Sequence, residues 1–188
     1  MNVLVGFTPF IAFFVLLKLV SPLAGLVSAM VVSVLLCVRT RARHESLKIL
    51  ELGSVVVFVA LVLYTLVAAP VWTVATVRLA ADSGLLAIVL FSLAIGRPFT
   101  LQYARERVPE QYWSSPLFLT TSRRIAIVWA GSFAVHAAAD AAAQYLPAIP
   151  LFIDIAASLG TLAAALWFTF WYPAVARRAA AADAVPPG

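Results

Sequence analysis

The chain carries a single cysteine, Cys37, which excludes an intrachain disulfide and any metal site built from cysteines. Histidine is nearly as scarce, and His44 and His136 lie too far apart in sequence to make a His-x-x-x-His pair. There is no Gly-rich phosphate loop, no Gly-x-Ser-x-Gly elbow and no Cys-x-x-Cys. Classical hydrolytic, nucleotide-dependent or zinc chemistry has no foothold, so neither an enzyme activity nor a cofactor is expected. Charge is the largest deficit. Charged residues are 11% of the 188, against about 25% in an average soluble domain, and so few cannot solvate an ordinary protein surface.

Apolar residues fill the gap at 64%, and they come in long runs. With about 20 apolar residues as one membrane span, six segments stand out, at 3–17, 19–38, 49–67, 84–96, 125–146 and 151–172. The fourth is too short at 1.5 Å per residue to cross about 30 Å of hydrocarbon. It is therefore extended back to Trp72, with Arg78 and Asp82 as an i,i+4 pair near the interface. The first run lacks a basic leader and has Lys18 at its far end, so it reads as a retained span and not a cleaved signal. The fold class expected is an all-α, polytopic transmembrane bundle of about six spans, one domain over 1–178, with a frayed tail at 179–188 ending in Pro186-Pro187-Gly188.

The net charge of +5 lies in clusters between the apolar runs and not along one polar face, which argues against nucleic acid as a partner. Arg39, Arg41, Arg43 and Lys48 join spans two and three; Arg97, Arg105, Arg107, Arg123 and Arg124 join four and five; Arg177 and Arg178 follow six. Six crossings put all three clusters on one side, and the positive-inside rule makes that side cytoplasmic, with both termini. The run 39–48 reads as a solvated loop, and Glu51 as an i,i+3 partner of Lys48 at the interface.

The longest polar stretch, 97–122, is expected to lie on the cytoplasmic interface. Gly96 suits a helix end, Pro98 opens a new direction, and 99–107 suits a short helix on the membrane surface. Tyr103, Tyr112 and Trp113 would sit at headgroup depth. Arg97, Tyr103, Arg105, Arg107 and Trp113 form a candidate surface for anionic lipid or for a partner's acidic patch; ordinary positive-inside retention explains the same arginines. Thr120, Thr121 or Ser122 would cap the fifth helix.

The opening Pro9-Phe10-Ile11-Ala12-Phe13-Phe14-Val15-Leu16-Leu17-Lys18, the Ala-rich start of the second span at 24–29, the Arg97-Pro98 step and the Trp129/Phe133 pair occur in one order along nearly the whole chain. Together they resemble the septation protein A family of bacterial inner-membrane proteins. That resemblance implies a multi-pass protein of the inner membrane linked to septation and envelope integrity, acting through contacts with other membrane proteins and without a known reaction. Three features depart from the family pattern: 102–122 is longer and more charged, Asp140 stands where an amide is expected, and Asp154 at the start of the last span has no nearby lysine.

His136, Asp140 and Asp154 are the ionisable residues that this reading places deepest in the membrane. A charge there costs about 2.5 to 3.5 kcal/mol on insertion scales, so each needs a partner, water or a neutral form. His136, Asp140 and Gln144 follow i, i+4, i+8 and share one face of the fifth helix. A hairpin turning at 147–150 brings Asp140 and Asp154 within one or two turns in depth. Two carboxylates with an imidazole suit a proton relay or a cation site. The same groups suit a hydrogen-bonded cluster that holds helices together among close-packed alanines. The first points to a small proton- or cation-coupled transporter, which at this size would need a homo-oligomer to enclose a path. The second points to a non-enzymatic scaffold whose partners are lipid and other membrane proteins.

Overall fold

The computed structural model describes the backbone of residues 3–145 and 151–183, and side chains at 4–145 and 156–181. In order the elements are α1 (Val3–Gly6), α2 (Thr8–Leu19), α3 (Pro22–Ala42), α4 (Ile49–Ala68), α5 (Val74–Ala94), α6 (Phe99–Arg105), a 3-10 turn at Glu110–Tyr112, α7 (Pro116–Tyr145) and α8 (Leu151–Asp183). No strand is present among the described residues. Five helices, α3, α4, α5, α7 and α8, are long and apolar enough to cross a membrane.

The first apolar segment is shorter than the other five. α2 has 12 residues, a reach of about 18 Å. The break before it is slight: Phe7 N–H bonds Leu4 O and Ile11 N–H bonds Phe7 O, each at 3.1 Å, so the chain coils on through Phe7. Together 3–19 reach about 25 Å. Ser21 then stops α2 and starts α3: its hydroxyl accepts from Ala24 N–H at 3.2 Å, and Pro22 occupies the first helical position.

Local signals set most helix ends. α4 ends at Ala69, left-handed at φ 43°, just before Pro70. Thr73 and Thr76 cap α5 through reciprocal hydroxyl bonds. Gly96, at φ 67°, closes α5 in a Schellman turn in which Arg97 N–H bonds Ser92 O at 3.0 Å.

Three expectations change. α7 begins at Pro116, nine residues before the expected span, because Ser115 Oγ accepts from Phe118 N–H at 3.2 Å and Pro116 suits the first turn. Thr120, Thr121 and Ser122 therefore lie inside the helix; Thr120 donates back to Pro116 O at 2.7 Å. α8 runs past the expected tail boundary to Asp183, since 179–182 are alanines, the strongest helix formers. α6 is the third. Its side chains at Phe99, Thr100, Leu101 and Tyr103 are buried, so it fills the end of the bundle instead of lying on a surface.

The core is a single cluster. Phe7 stacks on Trp129 at 4.9 Å and meets Phe133 and Phe99, while Phe10 and Phe13 pack on Phe58 of α4. Several residues that carry the family resemblance, namely Pro9, Phe10, Phe13, Trp129 and Phe133, are thus core residues. Trp129 also donates Nε1–H to Thr169 Oγ1 at 2.9 Å, so its polar edge is satisfied by α8. α2 packs on α3, α3 on α4, α4 on α5, α5 on α7 and α7 on α8. The α5 with α7 contact joins helices separated by the whole α6 region, and it positions the deepest charges.

Candidate functional site

α5 and α7 run antiparallel, and their polar residues pair in register. Thr73, which caps α5, donates its hydroxyl to Gln144 Oε1 at 3.0 Å. About one turn further along α5 and back along α7, Arg78 Nη2 lies 2.7 Å from Asp140 Oδ1. Asp140 is fully buried, and the Arg78 side chain is 13% exposed. One more turn puts Asp82 of α5, also buried, at the depth of His136 on α7. Arg78 is thereby carried across to α7, where the sequence had suggested only an intrahelical partner in Asp82 near the interface. His136 and Asp140 are accordingly not the only ionisable residues buried or nearly buried among the helices; Arg78 and Asp82 join them.

His136 turns to the other neighbour. Its Nε2 is 2.9 Å from the Ser158 carbonyl of α8, and a carbonyl can only accept, so Nε2 carries the proton of that bond. The ring also meets Phe133 edge-on at 6.0 Å. The stripe His136, Asp140, Gln144 therefore forms one face of α7 but divides its bonds: His136 to α8, Asp140 and Gln144 to α5. Among the described residues no group of three His, Cys, Asp or Glu side chains is placed to hold a metal ion. Asp154 lies at the start of α8, and its side chain is outside the described residues.

A second charged cluster sits where α4 and α6 meet. Lys48, 3% exposed, is 2.7 Å from Glu106 and 3.8 Å from Glu51, and it lies 5.2 Å from the centre of the Tyr103 ring. Sequence reading had put Lys48 and Glu51 at a wet interface, whereas Glu51 is fully buried. Gln102 holds the cluster to the start of α4, its Oε1 accepting from Ile49 N–H at 2.8 Å. Burial pushes Glu106 up, but hydrogen bonds and positive charge around it, those of Lys48 foremost, outweigh it and hold the carboxyl below its ordinary value. Burial first, then the negative charges of Glu51 and Glu106, push the Tyr103 phenol well above its ordinary value, so it stays neutral.

These contacts sort the expected interfacial surface. Tyr103 faces inward, 4% exposed, and is not available to lipid or a partner. The α4 and α6 packing that buries it leaves no sign at the level of residue type. Arg105 is exposed and lies 5.2 Å from the centre of the Trp113 ring, whose Nε1–H bonds Val108 O at 2.8 Å. Arg97 and Arg107 are exposed. Arg124, expected only as a topological charge, stacks at 5.9 Å on Tyr172 of α8 and donates to its hydroxyl.

Sequence reasoning missed the α5 with α7 pairing and the burial of the Lys48 cluster. The signal for the first was present: Arg78 and Asp82 fall inside a run of apolar residues, which is the usual mark of an intramembrane partner elsewhere. No protein-family model matches the chain, and no curated protein or solved structure matches it either.

Proposed function

We propose that the chain is a non-enzymatic, multi-pass protein of the bacterial inner membrane, with six crossings and both termini in the cytoplasm. On this reading it serves as a scaffold of the envelope, linked to septation, that acts through contacts with other membrane proteins. The observation that carries the reading is the Arg78–Asp140 pair. Asp140 is fully buried and 2.7 Å from its counter-charge, as suits a group that locks two helices together. His136 bonded to the α8 backbone and Gln144 bonded to Thr73 support the same structural role. The family resemblance supports the inner-membrane location and the septation link, and the basic clusters support the orientation.

A second reading, a small proton- or cation-coupled transporter, draws on Asp82, Asp140 and His136, all buried and within about two turns in depth. Flux measurements separate the two. Wild type in liposomes under an imposed pH gradient is compared with Arg78→Met/Asp140→Leu, which removes both charges together and so leaves neither one orphaned. The scaffold reading expects no proton or cation flux from either folded protein. Flux that disappears in the double variant would replace it with the transporter.

A further inference from the structure

α5 ends at Ala94, and the chain turns through Gly96, Arg97 and Pro98 into α6, which packs on the first turns of α7. Between them lies a groove of about 400 Å³, within the roughly 300–1,000 Å³ of small-molecule sites. Leu93, Ala94, Leu101 and Leu119 form an apolar wall, and Thr120 and Arg123 form its polar end. No carboxylate lines it among the described residues. Arg97 stands between two further lining residues, Gly96 and Pro98. Arg97 and Arg123 are exposed, and no side-chain bond or ion pair engages either among the described residues, whereas Arg105 stacks on Trp113 and Arg124 on Tyr172.

We propose that this groove seats one anionic phospholipid, its phosphate on Arg123 and Arg97 and its first methylenes along Leu93. The placement rests on the membrane reading above, in which the end of α5 marks the cytoplasmic boundary of the hydrocarbon. There a lipid presents its phosphate at the depth of the guanidiniums and its chains beside Leu93. A guanidinium matches a phosphate with two parallel N–H donors. A free phosphate would satisfy the arginines and leave the apolar wall uncovered; a phospholipid covers both. The site differs from the surface expected from sequence: Arg123 enters it from α7, and Tyr103 is buried and is not part of it.

Native mass spectrometry of the full chain in neutral detergent, titrated with phosphatidylglycerol or phosphatidylcholine, tests the proposal. One phosphatidylglycerol is expected to bind at least about fivefold more tightly than phosphatidylcholine, with about fivefold lost for each of Arg97→Gln and Arg123→Gln. Leu119→Trp, which fills the groove from an exposed position without changing charge, should also weaken binding, and Arg177→Gln on α8 should not. Equal affinity for the two lipids, binding unchanged in the Arg97→Gln/Arg123→Gln variant, or equal loss in Arg177→Gln would overturn the proposal. Full competition by millimolar inorganic phosphate would overturn it in favour of a free anion. Sidedness does not enter a measurement in micelles, so failed lipid binding counts against the groove alone and a reversed topology against the orientation alone.

Discussion

Arg78 of α5 and Asp140 of α7 are 62 residues apart in sequence and 2.7 Å apart in space, with the carboxylate fully buried. Removing one member takes a close counter-charge from the other, and for buried pairs such a loss costs about 3–5 kcal/mol. Asp140→Asn and Arg78→Met are each expected to lower the melting temperature in detergent sharply. Arg78→Met/Asp140→Leu is expected to recover most of the loss. A double-mutant cycle followed by thermal unfolding measures the coupling, and additive single losses would show that the pair is not a unit.

Gly6 is where α1 meets the buried Tyr103. A Cβ there would sit 2.1 Å from Tyr103 Oη and 2.9 Å from Leu50 Cδ2. Gly6→Ala is therefore expected to destabilise by about 1–3 kcal/mol, as overpacking does. Tyr103→Phe in the same chain should return part of it by removing the hydroxyl. Equal melting of Gly6→Ala and wild type would mean that α1 does not press on α6.

The Lys48 cluster makes stability depend on pH at both ends. Glu106 is held below its ordinary value, so its contribution is full above the unfolded carboxylate pKa of about 4.3 and is lost as pH falls through the lower folded value. Tyr103 is raised, so its contribution is full below the unfolded phenol pKa of about 10 and fades as pH rises beyond it. Chemical unfolding in detergent from pH 3 to 11 should show both shoulders. Glu106→Gln should remove the acid one and Tyr103→Phe the alkaline one. Tyrosine absorbance should show one phenol that ionises only on unfolding.

The orientation can be read with single cysteines in a Cys37→Ser background. Ser46→Cys, Ser114→Cys and Ala179→Cys are expected to react with an impermeant maleimide only after the membrane is opened, and Val71→Cys in intact spheroplasts. Labelling of Ser46 and Ser114 from opposite sides would change the number of crossings between them.

Much of the fold could be read from residue order. The third apolar run, 49–67, is α4 to within a residue, because Lys48 and Glu51 mark its start and Pro70 its end. The i, i+4, i+8 stripe of His136, Asp140 and Gln144 was legible because helix periodicity is local. The partners of that stripe were not. An intrahelical Arg78 with Asp82 pairing is what spacing suggests, since i,i+4 is the range over which sequence reports contact. In the same way Tyr103 looked amphipathic and interfacial, and only the closure of α4, α6 and Gly6 around it made it a core residue.

Composition and order by themselves determined that this chain is helical and apolar enough for a bilayer, and where its basic residues cluster, because hydrogen bonding, helix propensity and transfer to lipid act residue by residue along the chain. Which helices touch was decided by tertiary structure. α5 reaches α7 across the intervening α6, and only that packing sets Arg78 against Asp140 and Thr73 against Gln144, as the meeting of α4 and α6 sets Glu106 against Lys48. Burying a charge is tolerable only where a counter-charge arrives from another element, and that arrival depends on the geometry of the whole bundle.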